Sequence, residues 1–165
     1  MIFQVTSMLD QDWEQVRQIY REGIETGQAT FETTTPEFIE WHNSHLPFGR
    51  LVARTEVVVS GWAALSPVSR RAAYAGVAET SVYVGQAYRG NGIGRSLLHA
   101  LVEQSESNGI WTLQAVMFPE NEASLALHRS CGFREVGRRE RIGKLNGVWR
   151  DTILLERRSM AVGID

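Results

Sequence analysis

The sequence predicts an α/β fold in which a mixed sheet carries helices on both faces, and three observations predict it. Short β-rich runs alternate with amphipathic stretches of helical period, in the order β-α-α-β-β-β-α-β-α-β-β. A β-branched run ending at Val84 passes through a glycine-rich turn directly into a helical pattern. Near the C-terminal end, Asn146-Gly147 separates two alternating runs, the signature of a closing antiparallel pair. The 165 residues fit one domain spanning 1–165.

Taken in order, Phe3–Thr6 reads as a short first strand. Asp10 then caps a helix that carries Trp13, Val16, Ile19 and Tyr20 at helical spacing. Residues 29–35 read as extended or loop. Thr35-Pro36-Glu37 opens a second helix, with Pro36 at the first helical position and Phe38, Trp41 and His45 along one side. Strands follow at Arg50–Arg54 and Val57–Ser66, and a long one from about Ala72 to Val84, with room for a bulge. Gly92 begins a helix that buries Ile93, Leu97, Leu98, Leu101 and Val102 and ends near Asn108-Gly109. Ile110–Met117 is a strand, Asn121–Ser130 a short helix stopped by Gly132, and Phe133–Ile142 and Val148–Glu156 form the closing pair.

Composition excludes several classes of partner. Hydrophobic residues at 43% and charged residues at 22% describe an ordinary globular chain. A net charge of −2 offers no basic field for a nucleic-acid backbone or an anionic membrane. No apolar run approaches the ~20 residues of a membrane helix. Met1 to Gln11 lack a basic region followed by an apolar run, so no secretory leader is expected and the expected location is cytoplasmic. The single Cys131 excludes an intrachain disulfide and a thiolate-rich metal site, and no metal is expected.

The strongest chemical signal is Arg89-Gly90-Asn91-Gly92-Ile93-Gly94, followed by Arg95. Between a strand and a helix, such a loop points several backbone N–H groups and the positive end of the helix dipole at one place. Glycines let the backbone approach a ligand closely, and Arg89 and Arg95 add bidentate donors suited to a pyrophosphate. Alone, a glycine-rich turn is equally a bland tight turn. Downstream, however, Asn121, Ser124 and His128 precede Cys131-Gly132-Phe133 at fixed offsets. Together these motifs resemble the two acetyl-CoA-binding motifs of the GNAT N-acetyltransferase superfamily, over nearly the whole chain. The resemblance implies a GNAT fold, acetyl-CoA as co-substrate, and a pantetheine arm that pairs with the backbone of Val82, Tyr83 and Val84. That arm would lie where this strand and the next splay apart, with Asn121 bonding it further along.

A narrower resemblance lies upstream. The segment Ala73–Val84, with Glu79-Thr80-Ser81-Val82-Tyr83-Val84 at its end, is similar to the phosphinothricin and methionine sulfoximine/sulfone acetyltransferase branch. Thr30-Phe31-Glu32-Thr33 and Gly147–Asp151 resemble it too, and His128 matches that branch where most members of the superfamily have Tyr. The pattern departs at Val68, where an aromatic often precedes the substrate-side Arg. The branch implies transfer to the α-amine of a small amino-acid-like substrate, and a homodimer. A peptide N-terminus, a polyamine, or a non-catalytic acyl-CoA-binding module are the alternatives.

Strand alternation puts Glu79, Ser81 and Tyr83 on one face and Thr80, Val82 and Val84 on the other. A carboxylate among apolar strand residues costs desolvation unless something uses it. An amine arrives largely as ammonium and must lose a proton before attack, so Glu79 is the candidate base, directly or through water. The structural alternative is a Glu paired with a nearby Arg. His128 either protonates the departing thiolate or packs against the cofactor's sulfur end. Cys131 reads as core packing, an acyl-enzyme being the alternative. By the branch resemblance, Arg71, with Arg70 as fallback, would hold a substrate carboxylate beside Tyr74; a solvated charge pair is the alternative. Phe31, Thr33 and Trp149 complete the expected pocket, and the aromatic pair reads equally as core.

Overall fold

Each element forms where its pattern dictates, with three local corrections. The structure, a computed structural model, describes residues 1–165. Strand β1 is Gln4–Ser7 and helix α1 is Trp13–Glu25. A single 3-10 turn, Asp10–Asp12, precedes α1. Asp12, not Asp10, closes that start: its carboxylate accepts the Leu9 N–H at 2.8 Å and both guanidinium nitrogens of Arg54, at 3.0 and 2.8 Å. Helix α2 is Phe38–Ser44. Its N-cap is Glu37, and the Glu40 carboxylate reaches back to the Glu37 N–H at 3.0 Å. Pro36 therefore lies before the cap rather than inside the first turn.

Strands β2, Leu51–Thr55, and β3, Val58–Pro67, lie close to expectation. The long strand starts later than the sequence suggests: Ala72–Tyr74 is a 3-10 turn and β4 is Val77–Val84. Gly76 sets this boundary. Its carbonyl accepts the N–H groups of Trp111 and Thr112, and a Cβ there would lie 2.0 Å from the Trp111 ring. The remaining elements are α3, Ile93–Ser107; β5, Thr112–Met117; α4, Glu122–Ser130; β6, Arg134–Leu145; and β7, Val148–Arg158. Asn146 and Gly147 both take positive φ, 49° and 80°, as a tight turn between β6 and β7 needs.

All seven strands join one sheet in the order β1-β2-β3-β4-β5-β7-β6. Every neighbouring pair is antiparallel except β4 and β5, which run parallel. On one face, α3 and α4 bury Leu97, Leu98, Leu101 and Leu125 against Ala63, Leu65, Ala78 and Leu113. On the other, α1 and α2 bury Trp13, Val16, Ile19 and Trp41 against Val52, Trp62 and Ala64. The mixed sheet with helices on both faces is the architecture expected.

One interruption positions everything that follows. Parallel pairing between β4 and β5 covers Val77↔Thr112, Ala78↔Leu113 and Glu79↔Gln114, and stops. Beyond that rung β4 stays paired to β3 as far as Val84, while β5 stays paired to β7 as far as Met117. The two central strands splay apart, as the resemblance implied.

Candidate active site

The splay opens into a cavity of about 1170 Å³. A pocket for one small ligand holds roughly 300–1,000 Å³, so this one has room for two reactants.

Its first wall is backbone. The Gly85 N–H donates to Ser60 O on β3 at 2.9 Å. Counting back along the strand, Val84, Val82 and Thr80 turn their N–H and C=O groups the other way, toward the side that β5 has left. Tyr83 turns its carbonyl toward β3, where a Cβ on Gly61 would meet it at 2.9 Å. Of the three residues expected to offer backbone to a pantetheine arm, Val82 and Val84 therefore face the gap, and Tyr83 contributes its ring.

At one end of the gap stands the glycine-rich loop. Gly90 and Gly92 both have φ of 79°, and a Cβ at either position would meet nothing within 4 Å. The space over the loop is open, and the left-handed backbone favours glycine at both positions. Gly92 is the N-cap of α3, leaving the N–H groups of Ile93, Gly94 and Arg95 without helical partners. Arg89 and Arg95 line the same end of the cavity. Asn91 does not line it. Its Nδ2 donates to Tyr88 O and Arg89 O, at 3.0 and 3.2 Å, and braces the turn. Ile93 lies in the core, 1% exposed. An open cradle of free N–H groups beside two guanidiniums fits a pyrophosphate.

The second wall comes from α4. Asn121 is its N-cap, accepting the Ser124 N–H at 3.2 Å and donating from Nδ2 to Gln28 O at 3.3 Å. His128 is buried, and its Nδ1 lies 2.8 Å from Ser124 O. A carbonyl only accepts, so Nδ1 carries the proton and Nε2 presents a lone pair. That lone pair lies 3.5 Å from the Thr80 hydroxyl. Burial pulls the His128 pKa below its ordinary value, outweighing the opposing bond to Ser124. At neutral pH the ring is uncharged and Nε2 has no proton to give.

The far end of the cavity is built from side chains. Glu79 lines it and accepts from Gln114 Nε2 at 2.8 Å. Tyr20 and Tyr83 also line the cavity, with ring centroids 5.0 Å apart. Burial, then the charge of Glu32, pushes the Tyr20 phenol up to about 12; burial, then Tyr20, pushes Tyr83 up as well. Both stay protonated as donors. Phe31 lines this end, edge-on to Phe118 with centroids 4.9 Å apart. Thr152 also lines the cavity, and its buried Oγ1 has no hydrogen-bond partner. Arg150 holds the roof loop: it donates to Gly27 O at 2.9 Å and Gln28 Oε1 at 2.8 Å, and its guanidinium lies 3.9 Å over the Phe118 ring.

Five expected substrate-side residues do not reach this cavity. Arg70 and Arg71, just before the 3-10 turn, and Tyr74, at its end, are exposed, with the Arg71 guanidinium 5.7 Å over the Tyr74 ring. Thr33 is exposed. Trp149 is exposed on β7 beneath Lys144 Nζ, 4.7 Å from its ring centre. The late start of β4 removes Arg71, which a continuous strand would have put on the Glu79 face; Arg70 and Tyr74, at odd offsets from Glu79, would have faced the other way. Sequence reading missed Gln114, Tyr20 and Thr152. Gln114 alone had a local signal, a polar residue in an otherwise apolar strand core.

The comparisons with known proteins agree with this geometry. The model of the acetyltransferase (GNAT) family matches residues 13–133. The chain belongs to the GNAT family of acetyltransferases. It is 34% identical over 157 residues to a phosphinothricin N-acetyltransferase of Alcaligenes faecalis, covering 90% of this chain and 78% of that protein. A phosphinothricin acetyltransferase of Sinorhizobium meliloti, solved in complex with acetyl-CoA, superposes with a TM-score of 0.85 at 30% identity, covering 100% of this chain and 97% of its own. A structure from Brucella melitensis described as a ribosomal-protein-alanine N-acetyltransferase gives a TM-score of 0.87 at 31% identity, covering 94% and 99%. As a GNAT enzyme, this chain is an acetyl-CoA-dependent N-acetyltransferase, and the reading as a non-catalytic module falls away.

Proposed function

We propose that this enzyme acetylates the α-amine of a small amino-acid-like substrate, of the phosphinothricin, methionine sulfoximine or methionine sulfone type, by direct attack in a ternary complex. The observation that carries the reading is the splay after the Glu79–Gln114 rung. It sets an anion cradle at one end of a continuous cavity and leaves the Glu79 carboxylate, at the last rung, lining the same cavity. The names of the 34% and 30% identical relatives support the substrate class.

When bound, acetyl-CoA supplies an activated acetyl thioester. The free N–H groups at Ile93, Gly94 and Arg95, with Arg89 and Arg95, hold its pyrophosphate. The gap-facing N–H groups of β4 hold the arm and donate to the thioester carbonyl, where negative charge develops. Glu79 takes the proton from the substrate ammonium. Fixing both reactants in one cavity removes most of the entropic cost of their encounter. His128, neutral and with its proton on Nδ1, packs at the sulfur end and accepts from Thr80 rather than acting as an acid. Arg70 and Arg71 lie outside the cavity, so this reading assigns neither of them to the substrate carboxylate. By the family resemblance the enzyme works as a homodimer in the cytoplasm; the exposed Val136, Ile142, Val148 and Trp149 on β6 and β7 support an interface there. No helix is long and apolar enough to cross a membrane.

Release of CoA thiol from acetyl-CoA tests the assignment. Phosphinothricin, methionine sulfoximine or methionine sulfone should turn over faster than an alanyl peptide or a polyamine. Faster turnover of the alanyl peptide would instead support the second reading, peptide N-terminal acetylation, which the Brucella melitensis likeness favours.

A further inference from the structure

Gln114 stands on the last rung of the parallel ladder, directly beside Glu79. On this strand Leu113, Ala115 and Met117 point into the core under α3 and α4, so Gln114 projects from the opposite face, the one Glu79 occupies. It does not line the cavity, whereas Glu79 does. Gln114 therefore sits behind the carboxylate and out of reach of an acceptor.

Its contacts are specific. Nε2 donates to Glu79 Oε1 at 2.8 Å, the one side-chain hydrogen bond that either residue makes. The orientation of the amide follows from this partner: turned over, its oxygen would face an anion. Glu79 Oε2 is left without a protein donor, free for a substrate ammonium. The Gln114 carbonyl, 3.4 Å from the Thr80 hydroxyl, is the alternative acceptor for the one proton that Thr80 offers His128 Nε2. One residue thus adjoins groups on both faces of β4 at the apex of the gap.

A glutamine can also follow the reaction. Beside a carboxylate it presents N–H; beside the carboxylic acid left after proton uptake, a turn of the amide presents its oxygen to the acid O–H. Methionine offers neither group, and a glutamate would add a second negative charge.

We infer that Gln114 is a positioning residue for the reaction: it fixes the Glu79 carboxylate with Oε2 toward the acceptor amine and keeps a partner for Glu79 in both protonation states. The inference rests on Glu79 being the base, and the experiment separates the two claims. Gln114→Met preserves length and approximate volume and removes the donor. Turnover is measured by thiol release, and acetyl-CoA affinity by calorimetry, in four proteins: wild type, Gln114→Met, Glu79→Gln and the double variant. Gln114→Met should lower kcat about 10- to 100-fold, the usual worth of a hydrogen bond to a charged group. Acetyl-CoA affinity should not change, which also reports an intact fold. In the Glu79→Gln background the same substitution should change kcat by less than about twofold, because the charge it serves is gone. An equal loss in both backgrounds, or no loss in either, would overturn the role of Gln114 and leave the base assignment standing. A Glu79→Gln protein as fast as wild type would overturn both.

Discussion

The two ends of the cavity are made of different material. The cofactor end is backbone: left-handed glycines at 90 and 92, three unpaired N–H groups of α3, and the bare edge of β4. The acceptor end is side chain, assembled from α1, the 26–36 loop, β4 and β7. The difference teaches where tolerance lies. A backbone cradle accepts most substitutions outside its glycines and its two arginines, whereas the acceptor end can be retuned one side chain at a time. Substitutions at one end should leave the other end working, and each prediction below tries to break that separation.

The largest effect belongs to Glu79. Glu79→Gln should lower kcat by ~10²–10⁴, the worth of a positioned general base, with acetyl-CoA affinity unchanged by calorimetry. Wild-type turnover would return Glu79 to a structural role. Next comes Gly92→Val. It should weaken acetyl-CoA about a hundredfold or more, as several hydrogen bonds to charged phosphates are lost. Circular dichroism should still report the native fold, because a Cβ at Gly92 meets nothing within 4 Å and the strain of valine in a left-handed backbone is confined to the loop. Unchanged affinity would remove the loop from the cofactor site.

Arg150→Ala should act on the acceptor end alone. The side chain is mostly buried and ties the roof loop to Phe118, so its loss should raise the acceptor KM about tenfold while acetyl-CoA binding holds. A matching loss of acetyl-CoA affinity would mean that the two ends are mechanically one. The smallest effect concerns pH. Burial depresses the pKa of both His128 and His45, so the unfolded chain takes up protons more readily than the native one. The stability this confers is present above the ordinary histidine value of about 6.5 and is lost as pH falls below it through the folded values. His128→Gln should therefore lose less melting temperature than wild type between about pH 7.5 and pH 5.5. Because His128 has no Nε2 proton to donate, the same variant should keep kcat within about tenfold.

Legibility in the sequence followed the same division. The strand–loop–α3 unit, the short helix from Asn121 to Ser130 and the Asn146-Gly147 turn could be read because each depends on residues close along the chain. The start of β4 could not. It is set by Trp111 packing over Gly76, a contact between segments 35 positions apart in sequence, and with it went the expected placement of Arg71. Pro36 misled for a different reason: Glu37 and Glu40 form a reciprocal cap that starts α2 later than the proline suggests. At the acceptor end, Glu79 and Phe31 were found through resemblance. Tyr20 and Thr152 had no local signal, because only the folded sheet brings α1 and β7 to the same cavity.

Direct transfer within a single cavity is the central claim, and initial-velocity kinetics with both substrates varied tests it most directly. Cys131 is buried in the core at 7% exposure and does not line the cavity, so no thiol stands ready to carry the acetyl group. The account predicts double-reciprocal lines that intersect, as a ternary complex requires. Parallel lines, the mark of a covalent acetyl-enzyme, would contradict it.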